Sequence, residues 1–128
     1  PDHAWHLGFW FSWKLINGYN FWEPTSNAVT RVVAQRVTPG SDKRVTIEAT
    51  LAYLGDGREL VRETRTVRVA TALNGNYAIA WESVFTAQDR PVEFACTPAK
   101  RGKDGNWASG GYAGLMWRFP DAGPVCER

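Results

Sequence analysis

Apolar side chains recur at every second position in this chain, and that period constrains the fold more than any other feature. In "RVTIEATLAYL", Val45, Ile47, Ala49, Leu51 and Tyr53 fall on one face and Thr46, Glu48 and Thr50 on the other. Successive side chains of an extended strand point to opposite sides, so such a segment buries one face and wets the other. "YAIAWESVF" groups Tyr77, Ile79, Trp81 and Phe85, and "YAGLMWRF" groups Ala113, Leu115, Trp117 and Phe119. "AVTRVVAQRVT" and "RELVRETRTVRVA" are further strands, rich in β-branched residues. No segment carries a helical period.

Turn signals separate these segments: Pro39-Gly40-Ser41-Asp42, Gly55-Asp56-Gly57, Asn74-Gly75-Asn76 and Asp89-Arg90-Pro91. Strands joined by such turns predict an all-β fold, an antiparallel β-sandwich. With 128 residues, the chain amounts to a single domain or part of one, and a chain of this size buries roughly two-thirds of its unfolded surface. Residues 98–111 read as the one long irregular stretch.

The aromatic residues concentrate near the start: Trp5, Phe9, Trp10, Phe11, Trp13, Tyr19, Phe21 and Trp22. Asn17-Gly18 within this run is the strongest two-residue hairpin signal, because a type I′ turn needs positive φ at both central positions. Residues 5–16 and 19–23 are therefore read as paired strands. One face then carries Trp5, Leu7, Phe9, Phe11 and Trp13, with Trp22 opposite Trp13. A buried aromatic contributes on the order of 4–6 kcal/mol at ~25 cal/mol/Å², as an upper bound, so this face belongs to a core. The reverse face carries His6, Gly8, Trp10, Ser12 and Lys14, with Glu23 across from Ser12 and Phe21 across from Lys14.

Charge and composition exclude some functions. Net charge is +2, from 15 basic and 13 acidic residues, and the basic residues are scattered singly. The "AKRGKD" loop is a solvated turn, so a nucleic-acid partner is not expected. No apolar run approaches the ~20 residues of a membrane span. Cys96 and Cys126 fit no zinc or redox spacing and leave the compartment open.

Three constellations carry possible chemistry. Trp10 and Phe21 form an aromatic floor bordered by His6, Ser12, Lys14 and Glu23. Indole beside hydrogen-bonding groups is a common way to hold a sugar, the ring stacking on its apolar face while polar groups meet its hydroxyls. Asp2, His3 and His6 form a two-histidine, one-carboxylate set suited to iron or a similar ion if the chain bends before Trp5. Glu63 and Arg65 share the more apolar face of their strand with Val61, Val67 and Val69, about 7 Å apart. There they either pair in the interior or line a polar cavity. Glu82, on the reverse of its strand, is expected in solvent.

The string "DHAWHLGFWFSWKLINGYNFWE", followed in order by "RETRTV", "AIAWESVFTA" and "GGYAGLMWRF", resembles the signature of a bacterial family labelled "PmoA family protein" or methane oxygenase PmoA. The resemblance runs over essentially the whole chain. It implies an architecture like the galactose-mutarotase β-supersandwich, a scaffold that elsewhere hosts sugar epimerases, lyases and carbohydrate-binding domains. Asp2, His3 and His6 match that family's DHxxH motif. Its members are longer on both sides of these motifs, which implies that this chain is a piece of a larger, here incomplete, sandwich.

Together these readings predict a domain that binds a sugar or uronic acid on a concave, aromatic-lined sheet. Trp10 and Phe21 would stack, Lys14, Glu63 and Arg65 would meet hydroxyls or a carboxylate, and His6 and Glu23 would form an acid–base pair of the mutarotase kind. Two alternatives remain: a binding or scaffold domain without chemistry, and the metal-dependent oxidoreductase that the family label implies. A bare sheet edge would add a tendency to self-associate.

Overall fold

The computed structural model describes residues 8–24, 27–41, 43–71, 76–110 and 113–117. Every described element is a strand and every pairing is antiparallel, which makes the fold all-β. The chain divides into two compact units, one from residues 1–25 and 93–128, the other from residues 26–92.

The second unit is a four-stranded meander in chain order: β4 (Ala28–Pro39), β5 (Arg44–Gly55), β6 (Arg58–Thr71) and β7 (Tyr77–Ala87). The β5–β6 turn is the predicted one. Asp56 and Gly57 have φ of 49° and 78°, the left-handed pair that a type I′ hairpin requires. One residue beyond it the register shifts: Gly55 pairs with Arg58 and Leu54 with Glu59, but Tyr53 pairs with Val61. Leu60 is the extra residue of a β-bulge, and the slip moves every later side chain of β6 to the other face relative to β5. Leu51, Glu63 and Phe85 consequently lie level on one face, followed by Ala49, Arg65 and Ser83, and then by Ile47, Val67 and Trp81. The opposite face, expected in solvent, carries Arg62, Thr64, Thr66 and Arg68; three of them are exposed, and Thr66 is half-buried. Glu82 is also exposed there and pairs with Arg68 at 3.5 Å.

Among the described residues of this unit, the buried side chains gather at the bulged end: Leu51, Ala52, Tyr53, Leu60 and Val61, with Ala28 of β4 and one charged residue, Glu63. β4 and β7 are the outer strands, and along β4 Val29, Val32, Val33 and Val37 are about half exposed.

The first unit is built from short strands: β1 (Phe9–Trp13), β2 (Leu15–Ile16), β3 (Tyr19–Asn20), β8 (Phe94–Ala95), β9 (Lys100–Arg101), β10 (Trp107–Ser109) and β11 (Ala113–Trp117). The Asn17-Gly18 turn forms as read, with φ of 49° and 81° and Ile16 paired to Tyr19. The long hairpin does not. The chain bends at Lys14, β3 ends at Asn20, and β1 pairs instead with β11, Phe9 opposite Trp117, Phe11 opposite Leu115 and Trp13 opposite Ala113. Two faces recognised separately as apolar thus form one surface.

The predicted Trp13–Trp22 pair is corrected as well. Asn20 Oδ1 accepts the backbone N–H groups of Trp22 (2.9 Å) and Glu23 (3.2 Å), a side-chain turn that ends the strand. Trp22 is therefore carried to Trp10, ring centroids 6.5 Å apart and edge-on, while Trp13 packs edge-on against Phe94 at 5.5 Å. Among the described residues, Trp22 and Ile16 are the buried apolar side chains of this unit. Residues 98–111 are not uniformly irregular either. β9 and β10 pair across a turn in which Gly102 N–H donates to Asn106 O at 2.7 Å and Asp104 accepts from the Asn106 backbone. Strands of two and three residues are too short to show a period. Cys96 is exposed and free.

Candidate functional site

The predicted site residues fall into two clusters, one in each unit. Asp2, His3 and His6 lie outside the described residues. Among the described residues, no group of three His, Cys, Asp or Glu could hold a metal ion.

In the first unit the polar residues engage one another. Lys14 Nζ pairs with Glu23 Oε2, and Asn20 Nδ2 donates to the same oxygen. Ser12 Oγ donates to Phe21 O at 2.8 Å, not to Glu23, and Phe21 N–H donates to Lys14 O at 3.1 Å. Phe21 thus lies across from Lys14 as the sequence predicts, and Glu23 is drawn away from Ser12 by the Asn20 turn. Burial pushes the Glu23 carboxyl up, but the hydrogen bonds from Lys14 and Asn20 and the Lys14 charge outweigh it and hold the group below its ordinary value. Glu23 is a held carboxylate at neutral pH. That makes it a weak base and no proton donor.

The second cluster is centred on Glu63, whose side chain is 0% exposed. Its carboxylate accepts four hydrogen bonds, two on each oxygen. Oε1 accepts from Arg65 Nε (2.7 Å) and Ser83 Oγ (2.6 Å), and Oε2 accepts from Arg65 Nη2 (2.8 Å) and Tyr53 OH (2.6 Å). Sheet geometry supplies all three partners. Arg65 is the next residue on the same face of β6, while Tyr53 and Ser83 are its diagonal neighbours on β5 and β7. Burial pushes the Glu63 carboxyl up, yet the bonds from Arg65, Ser83 and Tyr53, with the Arg65 charge, bring it below the ordinary carboxylate value. Burial and the neighbouring Glu63 charge push the Tyr53 hydroxyl up, so it remains a donor.

Arg65 is locked from a second side. Its guanidinium carbon lies 4.6 Å from the centroid of the Trp81 ring, and Trp81 Nε1 donates to Ser83 Oγ at 2.9 Å. The two alternatives read from sequence therefore resolve: Glu63 and Arg65 pair with each other. The pair still leaves something over. A guanidinium has five N–H groups and Glu63 takes two of them. No described residue takes the rest, and the side chain is 18% exposed. The result is a cation fixed in position with its outer edge unengaged. Tyr53, Trp81 and Ser83 complete the cluster, and none of them was singled out from sequence as a site residue.

The chain belongs to DUF6807, a family of unknown function whose model matches residues 1–123. Comparison with curated proteins and with solved structures gave no significant match. Among the described residues, no helix is long and apolar enough to cross a membrane.

Proposed function

We propose that this all-β chain is a carbohydrate-binding domain that holds a sugar or uronic acid at Arg65 and performs no acid–base chemistry there. One observation carries the reading: Glu63 and Trp81 fix a guanidinium whose remaining N–H groups face no described partner. Arginine presents a planar fork suited to a carboxylate or to neighbouring hydroxyls, and fixing it beforehand reduces the ordering cost of binding. The resemblance to sugar-handling supersandwiches points the same way, by analogy of fold.

Binding without turnover is favoured over the mutarotase version by the state of the carboxylates. A catalytic acid–base pair needs groups that exchange protons near neutral pH. Glu23 and Glu63 are instead both held ionised by cations at hydrogen-bond distance.

Isothermal titration with galacturonate, glucuronate, galactose and glucose tests the proposal. The expected result is saturable binding of at least one of these sugars, with affinity reduced tenfold or more by Arg65→Lys. Lysine keeps the charge beside Glu63 but loses the fork. Absence of binding by all four sugars, or unchanged affinity in Arg65→Lys, would refute it.

A further inference from the structure

Tyr77, the first residue of β7, is 71% exposed, and Ile79 is 38% exposed. Tyr77 lies opposite Thr71, Ile79 opposite Val69 and Trp81 opposite Val67, so all three stand on the face of the sheet that carries Arg65. The Tyr77 ring packs on no other described aromatic ring. An aromatic ring this open, continuous with further apolar surface, marks a place where something binds. β7 is also the outer strand of its sheet, so main-chain donors and acceptors run along the same margin.

From Tyr77 to Trp81 is four strand residues, about 13 Å. A single pyranose ring does not span that distance. We infer that the ligand is an oligosaccharide chain lying along β7, with one sugar at Arg65 and another stacked on Tyr77. The apolar ridge at Ile79 runs between them, and the outer main chain of β7 is within reach of the intervening hydroxyls. The inference rests on the carbohydrate reading of Arg65 and adds the polymeric nature of the ligand and its direction on the sheet. Tyr77 suits the second position because its ring offers a broad apolar face at little conformational cost, while its hydroxyl remains in water.

Titration with two series of one to four units, oligogalacturonates and cello-oligosaccharides, tests it. In the series that binds, affinity is expected to rise at least tenfold from monomer to trimer. Tyr77→Ala is expected to abolish that rise while leaving monomer affinity unchanged. Equal affinity for monomer and tetramer would overturn the inference and leave the Arg65 proposal standing. So would a Tyr77→Ala variant that keeps the full chain-length dependence. Absence of binding at every length in both series would overturn the inference, and the Arg65 proposal falls with it if glucuronate and galactose also fail to bind. A concentration-dependent self-association abolished by Tyr77→Ala, with no chain-length effect, would reassign the ridge to a second copy of the chain and also overturn the inference.

Discussion

Arg65→Met is expected to destabilise the protein by about 3–5 kcal/mol at pH 7, the range seen when one partner of a buried ion pair is removed. The substitution keeps most of the side-chain volume and removes the cation. Glu63 would then be a buried carboxylate with only Tyr53 and Ser83 as donors, and its pKa would rise instead of fall. The pH dependence gives the prediction its sign. In the native protein the folded-state pKa of Glu63 is depressed. Its contribution is therefore fully present above the unfolded carboxylate value and is lost as pH falls through the lower folded value. In the variant the folded pKa lies above the unfolded one, so protonation favours the folded form as pH falls. The deficit measured by urea unfolding should accordingly narrow between pH 7 and about pH 4–5, near the unperturbed carboxylate value. A deficit below about 1 kcal/mol, well short of that buried-pair range, or one independent of pH, would show that Glu63 does not depend on Arg65.

Trp22→Ala is expected to cost about 3–5 kcal/mol, the usual cost of truncating a large buried aromatic. Among the described residues of the first unit, Trp22 and Ile16 are the buried apolar ones, and the indole stands edge-on to Trp10. Its truncation loses both the transfer of the ring from water and the packing around it. Trp22→Phe, which keeps an aromatic ring, should cost markedly less. Hydrogen exchange read separately for residues 8–24 and 27–71 would localise the loss. The variant should deprotect Ile16 and Tyr19 most. Equal losses in Trp22→Ala and Trp22→Phe would contradict this account of the unit's core.

The strands were legible in the sequence because period-two alternation is a local property, but burial followed it only in part: Tyr77 and Ile79, read on an apolar face, are exposed, and Thr46 and Thr50, read on the wet face, are half-buried. Val45, Ile47 and Leu51, and Phe9, Phe11 and Trp13, each share a face as read. The Asn17-Gly18 and Asp56-Gly57 turns were legible for the same reason, since positive φ at two consecutive positions selects few residue types. Long-range pairing was not. Nothing local indicates that β1 takes β11 as its partner when their central residues, Phe11 and Leu115, are so far apart in sequence. The early end of β3 depends on Asn20 folding back on the Trp22 and Glu23 amides. That local bond competes with strand pairing and leaves no trace in the apolar pattern.

The site was half legible. Glu63 and Arg65 stood out as charges on an apolar face, but Tyr53 could not be assigned to them. Without the bulge at Leu60 the Asp56-Gly57 turn would place Tyr53 opposite Leu60, on the face away from Glu63. A single extra residue moves it beside the carboxylate. Ser83 and Trp81 depend in the same way on the β6–β7 register. The grouping of Lys14, Phe21 and Glu23 was nearer to the sequence reading, yet Glu23 proves to be occupied by Lys14 and Asn20.

A buried ion pair is a costly way to stabilise a sheet, since apolar residues of similar volume often do as well or better. Retention of Glu63 under Arg65 therefore makes sense if its role is to aim the guanidinium at a ligand. The triple variant Tyr53→Phe, Glu63→Leu, Arg65→Met separates the two roles, because it removes the charges together with the hydroxyl that would otherwise lose its acceptor. Its unfolding free energy is expected to return to within about 1–2 kcal/mol of the native protein, while sugar or uronate affinity falls at least tenfold. Retention of native affinity in a folded triple variant would contradict the assignment of Arg65 as the ligand-holding group.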